Sequence, residues 1–339
     1  MKAVVIERPG EAAFREVEEP VVGPDDVLVR SRRAGVCRTD LEVLAGELDP
    51  RWVRYPCIPG HEWSGVVEEV GAKVAEFLPG QRVVCEGIIP CDRCRRCRAG
   101  ETNICENYDQ LGFTRPGGYA ELVVAPRRVV HRLPDHASFD AAVLIEPGSV
   151  VLRGLERAGL RPGESVGVVG TGTLGSLALV LAQLSTPGRL VAYGIRDEEL
   201  ELARKLGASE TVNVERDPPE GDDLDAVVET AGAVPAVELA TRLVREGGRV
   251  VLLGIAGAGR SLELPADRIA LRDLLVLGSV GYTKAVWARM VGLVRDKLVE
   301  LDPIVTHRFP AAEFQRAFDL LERREGAVAK IVLEHQSER

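Results

Sequence analysis

Four of the chain's seven cysteines fall within fifteen residues, as Cys91-x-x-Cys94-x-x-Cys97-x7-Cys105. Cysteines separated by two residues can grip one ion, and four thiolates close a tetrahedral zinc site with no position left for a substrate. Arg93, Arg95, Arg96 and Arg98 are interleaved with them and would offset the residual negative charge of a zinc tetrathiolate. This spacing predicts a structural zinc in a lobe of about residues 88–108.

A second donor set is spread more widely: Cys37 in Gly35-Val-Cys37-Arg-Thr39-Asp40, His61-Glu62 in Pro59-Gly-His-Glu-Trp-Ser-Gly65, and Glu146 in Leu144-Ile-Glu146-Pro147. One thiolate, one imidazole and one or two carboxylates are what a catalytic zinc with an open position requires. Taken singly these residues have plainer readings: a structural histidine after glycine, and a solvated loop glutamate before proline. Thr39 and Asp40 compete for the N-cap of a helix ahead of Leu41-Glu-Val-Leu44.

A third pattern is Gly170-x-Gly172-x-x-Gly175, set between the apolar run from Ser165 and the resumed run Ser176–Gln183. It reads as strand, tight turn and helix, with Gly170, Gly172, Thr173, Leu174 and Gly175 facing a dinucleotide pyrophosphate at the helix N-terminus. Folds of this kind that prefer NAD place an acid about 20 residues past the glycines, at the end of the next strand. Here that strand, Arg189–Gly194, ends on Gly194, and Arg196 follows. Losing the carboxylate makes room for a 2′-phosphate, which a guanidinium meets with paired, charge-assisted hydrogen bonds. NADP is therefore favoured, with NAD the alternative.

The elements that must hold these residues follow from the rhythm of the chain. Up to about residue 150, short β-type runs are broken by Pro and Gly, which predicts a loop-rich β domain. Strands then read at 165–169, 189–194, 211–214, 225–229, 248–254 and 274–280, alternating with helices at 173–185, 197–207 and 235–245. That is a doubly wound parallel sheet of six strands, an α/β fold. Gly254 and Ser279, in its last two strands, are placed with the cofactor residues. A helix through Trp287–Met290, a strand near 304–307, a helix at 311–323 and a strand at 329–333 break the alternation and return to complete the first domain. The division is thus 1–150 with 286–339, and 151–285 between them.

With 339 residues, 45% hydrophobic and 28% charged, the chain has room for two cored domains. A net charge of −9 argues against nucleic acid as the main partner, and no apolar run reaches the length of a membrane span. The opening residues lack a signal-peptide core, so the expected compartment is the cytoplasm. Cys57 and Cys85 read as small buried residues, and His131, His136, His307 and His335 have no partner pattern. The apolar run 274–280 at a sheet edge predicts a homodimer or homotetramer.

Gly60-His61-Glu62-x-x-Gly65-x5-Gly71 resembles the signature of zinc-containing alcohol dehydrogenases of the medium-chain dehydrogenase/reductase family. The four-cysteine lobe, the glycine turn, Glu229-Thr-Ala-Gly232 and Lys330 fall in that family's order. The resemblance implies a GroES-like catalytic domain with a Rossmann domain inserted. It implies that Cys37, His61 and Glu146 hold the catalytic zinc, with Glu62 holding its water or taking a turn as ligand. Thr39 then passes the substrate proton outward, and Lys330 lies near the cofactor.

The segment Leu144-Ile-Glu-Pro-Gly-Ser-Val150 is similar to the polyol and sugar branch, so a secondary alcohol of that class is the expected substrate. L-threonine and simple secondary alcohols are the alternatives. Arg38 and Gly148 depart from the family's usual residues beside the site. Two other readings share the fold. A zinc-free quinone or enoyl reductase would lack the Cys37, His61 and Glu146 set, and a non-catalytic cofactor-binding protein would keep only the structural zinc.

Overall fold

The strand Asp26–Val36 is buried over most of its length, with Val27, Val29 and Ala34 fully so, and it carries neighbours on both edges. The structure, a computed structural model, describes residues 1–221, 223–257 and 259–335, so positions 222, 258 and 336–339 of the expected domains lie outside the described residues. Asp26–Val36 pairs antiparallel with Trp63–Val70, Leu122–Pro126 and Lys330–Glu334. The sheet continues through Arg82–Cys85 to Val130–Arg132 on one side and through Lys330–Glu334 to Val305–Pro310 on the other. The last strand is thus built into the first sheet, with Ile331 opposite Val36 and Val332 opposite Gly35. That register brings Lys330 to the end of the strand that runs into Cys37.

The second sheet has six parallel strands in the spatial order Glu210–Asn213, Arg189–Gly194, Ser165–Val169, Leu224–Glu229, Val244–Leu252 and Leu275–Gly278. Its central strands are near-continuous apolar runs because helices cover both faces. Val166, Val168, Val191, Ala192, Val227 and Val228 are all at most 1% exposed. The expected α/β architecture and all six strands are present. The chain divides into two compact units: Met1–Glu146, Thr283–Arg324 and the segment from Lys330 form one, and Pro147–Tyr282 with Glu325–Ala329 form the other.

Several local expectations need correction. Glu146-Pro147 is no solvated loop; it lies in the first turn of a 14-residue helix, Ile145–Ala158, and Glu146 is buried. Proline is tolerated there because a helix's first turn has N–H groups with no intrahelical acceptor. Thr39 is not an N-cap either, since Cys37 holds that position and the helix is Arg38–Ala45. Helix Val234–Leu243 ends two residues early because the chain passes at once into strand Val244–Leu252.

Candidate metal centres and dinucleotide turn

Val36 ends a buried strand and Cys37 begins a helix, so the thiol sits at the positive end of Arg38–Ala45. Asp40 fixes this junction by accepting a hydrogen bond from the Cys37 N–H on Oδ2 at 2.8 Å. Thr39 places its Oγ1 3.7 Å from Cys37 Sγ. His61 and Glu62 follow Gly60, whose φ of +94° belongs to the left-handed region glycine favours. The backbone carbonyl of Glu62 accepts from Gly35 N–H at 2.7 Å, tying this loop to the strand that delivers Cys37.

The donor atoms of Cys37, His61 and Glu62 lie within 4.8 Å of one another. Both acids and the imidazole of the cluster are buried: Asp40 at 0%, Glu62 at 2% and His61 at 6% exposure. His61 Nδ1 is 3.6 Å from Asp40 Oδ1, and neither atom has a hydrogen-bond partner. With Nδ1 toward Asp40, Nε2 faces the cluster, 3.9 Å from Glu62 Oε1. Burial acts to lower the His61 pKa, but Asp40 and the Cys37 sulfur outweigh it and raise it well above 6.5. A histidine pulled toward its cationic form by a thiol and a carboxylate sits where a cation belongs. Zinc fits the thiolate, imidazole and carboxylate donors, and Asp40 fits as the carboxylate behind the histidine.

Lys330 enters this cluster. Its Nζ donates to the Val36 carbonyl at 3.0 Å and forms an ion pair with Glu62 Oε2. Burial alone would lower the Lys330 pKa, but Glu62 and Cys37 raise it above 10.5. Gly35 makes the pair possible, because a Cβ there would overlap the Glu62 carboxylate and the Lys330 stem. Glu146 lies outside the three-donor group. Its carboxyl is pushed up to about 7, first by burial, with Glu62 and Asp40 adding and His61 and Lys330 opposing.

The other cluster is Cys91, Cys94, Cys97 and Cys105, again with all donor atoms within 4.8 Å. Cys91 and Cys97 sulfurs are 4.0 Å apart, as are those of Cys94 and Cys105. Sulfurs bound to one zinc at about 2.3 Å in a tetrahedron stand about 3.8 Å apart, so the set fits that ion. Backbone N–H groups already point at the sulfurs: Cys91 N–H at Cys105, Cys94 N–H at Cys91 and Cys97 N–H at Cys94, at 3.3–3.4 Å. Such donors, chiefly the backbone at Arg93 and Cys94, hold the Cys91 thiol down to about 6.

In the second unit, Gly170 has φ +106° and ends the strand Ser165–Val169, and Gly172 caps the helix Thr173–Ala182. A Cβ on Gly175 would strike the Gly170 carbonyl, so the third glycine serves close helix–turn packing. Thr173 Oγ1 donates to the Ala329 carbonyl, and Leu174 is half-buried beside it. Gly194 ends its strand against Thr171, and a Cβ there would meet Thr171 Cγ2 at 2.8 Å. Arg196 lies 3.6 Å from the buried Glu199, whose other oxygen accepts from Thr171 Oγ1. Gly254 packs on the backbone of Gly232, and Ser279 Oγ accepts from Arg153 at 2.8 Å.

The sequence predicts Cys37, His61, Glu62 and Glu146 in one site; the structure gathers the first three and leaves Glu146 outside the three-donor group. Lys330, expected near the cofactor, forms an ion pair with Glu62. The sequence marks Asp40 only as a cap and gives Tyr119 no role. The one signal for Tyr119 is an aromatic residue directly after Gly117-Gly118.

Residues 23–135 match the family model for the alcohol dehydrogenase GroES-like domain, and residues 173–296 match that for the zinc-binding dehydrogenase. An L-threonine 3-dehydrogenase of Anaeromyxobacter sp. (strain Fw109-5) is 33% identical, covering 98% of this chain and 99% of its own. Among solved structures, a Sinorhizobium meliloti 1021 dehydrogenase bound to NADP superimposes with a TM-score of 0.91 at 32% identity over 98% of each chain. Galactitol-1-phosphate dehydrogenase of Escherichia coli superimposes at 0.86 with 28% identity, over 98% of this chain and 100% of its own. Fold and donor clusters define a zinc-binding oxidoreductase with a GroES-like domain and a dinucleotide domain. The chain belongs to the medium-chain, zinc-containing alcohol dehydrogenase family. Among the described residues no helix is long and apolar enough to cross a membrane.

Proposed function

We propose that this dehydrogenase moves hydride between a polyol or sugar, at a secondary alcohol, and NADP. The observation that carries the proposal is the convergence of Cys37, His61 and Glu62 donors in a buried cluster. Cys37, His61 and Glu62 would hold a zinc, which would supply Lewis acidity to the alcohol oxygen, and the dinucleotide would supply the hydride chemistry. Asp40 orients His61 from behind, and Lys330 neutralises Glu62. Thr39, half-buried beside Cys37, has a hydroxyl that both donates and accepts, so it can pass the substrate proton outward. The carboxyl of Glu146, raised to about 7, joins the site as a further ligand or proton acceptor. The domain division at about 150 and 285 is supported by the unit boundaries at Glu146/Pro147 and Tyr282/Thr283.

The galactitol-1-phosphate dehydrogenase likeness supports a polyol substrate. The L-threonine 3-dehydrogenase likeness supports the second reading, and both substrates carry a secondary hydroxyl beside a polar group. A screen over polyols, aldoses, L-threonine and simple secondary alcohols, with both cofactors, separates them. The polyol reading predicts the highest kcat/KM on a polyol or sugar, and a preference for L-threonine overturns it. Zinc analysis should give two ions per chain, one for each donor cluster.

For the cofactor, the lack of space for a side chain at Gly194 and the guanidinium of Arg196 support NADP. Arg196→Ala should cost NADP about tenfold or more in kcat/KM and leave NAD nearly unchanged; equal use of the two cofactors by the parent enzyme would sink this reading. Four thiols kept for metal suit the reducing cytoplasm. A homodimer or homotetramer is supported by the edge strand Leu275–Gly278, where Leu275 is 56% and Val276 36% exposed. Sedimentation showing a monomer at micromolar concentration would refute it.

A further inference from the structure

Tyr119 is fully buried in the unit that holds the Cys37, His61 and Glu62 cluster, and it touches three of the segments that build it. Its ring and backbone lie against Gly60, where a Cβ would meet Tyr119 Cδ1 at 2.5 Å and its nitrogen at 2.8 Å. Its N–H donates to the Pro59 carbonyl at 3.0 Å. Its hydroxyl donates to Asp40 Oδ2 at 2.8 Å and lies 3.2 Å from the Gly35 carbonyl.

Asp40 Oδ2 therefore receives two donors, the phenol of Tyr119 and the N–H of Cys37. Two hydrogen bonds on one oxygen fix the plane of the carboxylate. The other oxygen, Oδ1, has no hydrogen-bond partner and is aimed at His61 Nδ1, 3.6 Å away. A free Asp40 could rotate and offer either oxygen, or turn both toward the Cys37 amide. We propose that Tyr119 is a positioning residue of the metal centre: its hydroxyl locks Asp40 so that His61 presents Nε2 to the ion, while its ring holds the Gly60–His61 turn. This rests on the reading of Cys37, His61 and Glu62 as the catalytic zinc site.

The test follows release of zinc from the loaded protein to excess 4-(2-pyridylazo)resorcinol. The parent should lose its two ions in separate phases, and Cys37→Ser identifies the catalytic phase by deleting it. Tyr119→Phe should release the catalytic ion about tenfold faster, with the four-cysteine phase and the melting temperature close to the parent's. Asp40→Asn should accelerate the same phase, and adding Tyr119→Phe to it should change the rate no further, because the two act in series. An unchanged catalytic phase in Tyr119→Phe overturns the inference, as does equal acceleration of both phases, which would mark a general loosening. A parent that carries only one zinc overturns the reading of the catalytic site itself, and this inference with it.

Discussion

At the scale of single residues the most exacting feature is the contact of Lys330, Glu62 and Gly35. Lys330 is 1% exposed, so its charge is tolerable only while Glu62 and the Val36 carbonyl face it. Breaking one side of such a buried pair leaves an uncompensated charge, at a cost of about 3–5 kcal/mol. Lys330→Met should lower the urea unfolding free energy by that amount at fixed zinc, and Lys330→Met with Glu62→Gln should recover much of it. Gly35→Ala should disable the same cluster by displacing the Glu62 carboxylate, seen as loss of one zinc per chain. The candidate donor types are legible because thiol, imidazole and carboxylate are distinctive in short glycine-flanked motifs. The Lys330 contact with Val36 is not, since it joins positions 294 apart in sequence through strand register.

At the scale of elements, the parallel strands could be read because both-face burial leaves unbroken apolar runs such as Ser165–Val169. The helix Ile145–Ala158 could not, since Pro147 and Gly148 look like a break and only their place in its first turns makes them harmless. Between strands Ser165–Val169 and Leu224–Glu229, Asp225 stitches the pairing by accepting from the Ser165 N–H and hydroxyl, each at 2.8 Å, and from Arg245. Burial raises its carboxyl, but these donors outweigh that and bring it from 3.8 to about 2. A pKa depressed on folding stabilises above the unfolded value, and the gain is lost as pH falls through the folded one. Asp225→Asn should therefore cost about 2 kcal/mol. The cost should hold from pH 8 to 5 and shrink below pH 4, as read by denaturant unfolding of both proteins.

At the scale of the molecule, the cysteine lobe is joined to distant chain. Asp92 pairs with Lys284 at 2.8 Å and Arg128 at 3.3 Å, and Thr102 Oγ1 accepts from the Lys284 N–H at 3.0 Å. Loss of the lobe's zinc would release the start of helix Lys284–Arg295 as well. Cys94→Ser should remove one zinc, keep the other and lower Tm by about 5–10 °C in a thermal scan.

The strand Lys330–Glu334 lies between Val305–Pro310 and Asp26–Val36. This has a consequence for the order of synthesis. The six strands of the parallel sheet are all translated by residue 278, yet the first sheet keeps an open slot until 330–334 leaves the ribosome. A nascent chain thus has its four-cysteine loop early, while the counter-charge for Glu62 arrives only with the final strand. The four-cysteine donor set can therefore assemble before the Cys37, His61 and Glu62 cluster, which gains its Lys330 partner only once strand Lys330–Glu334 has joined the sheet.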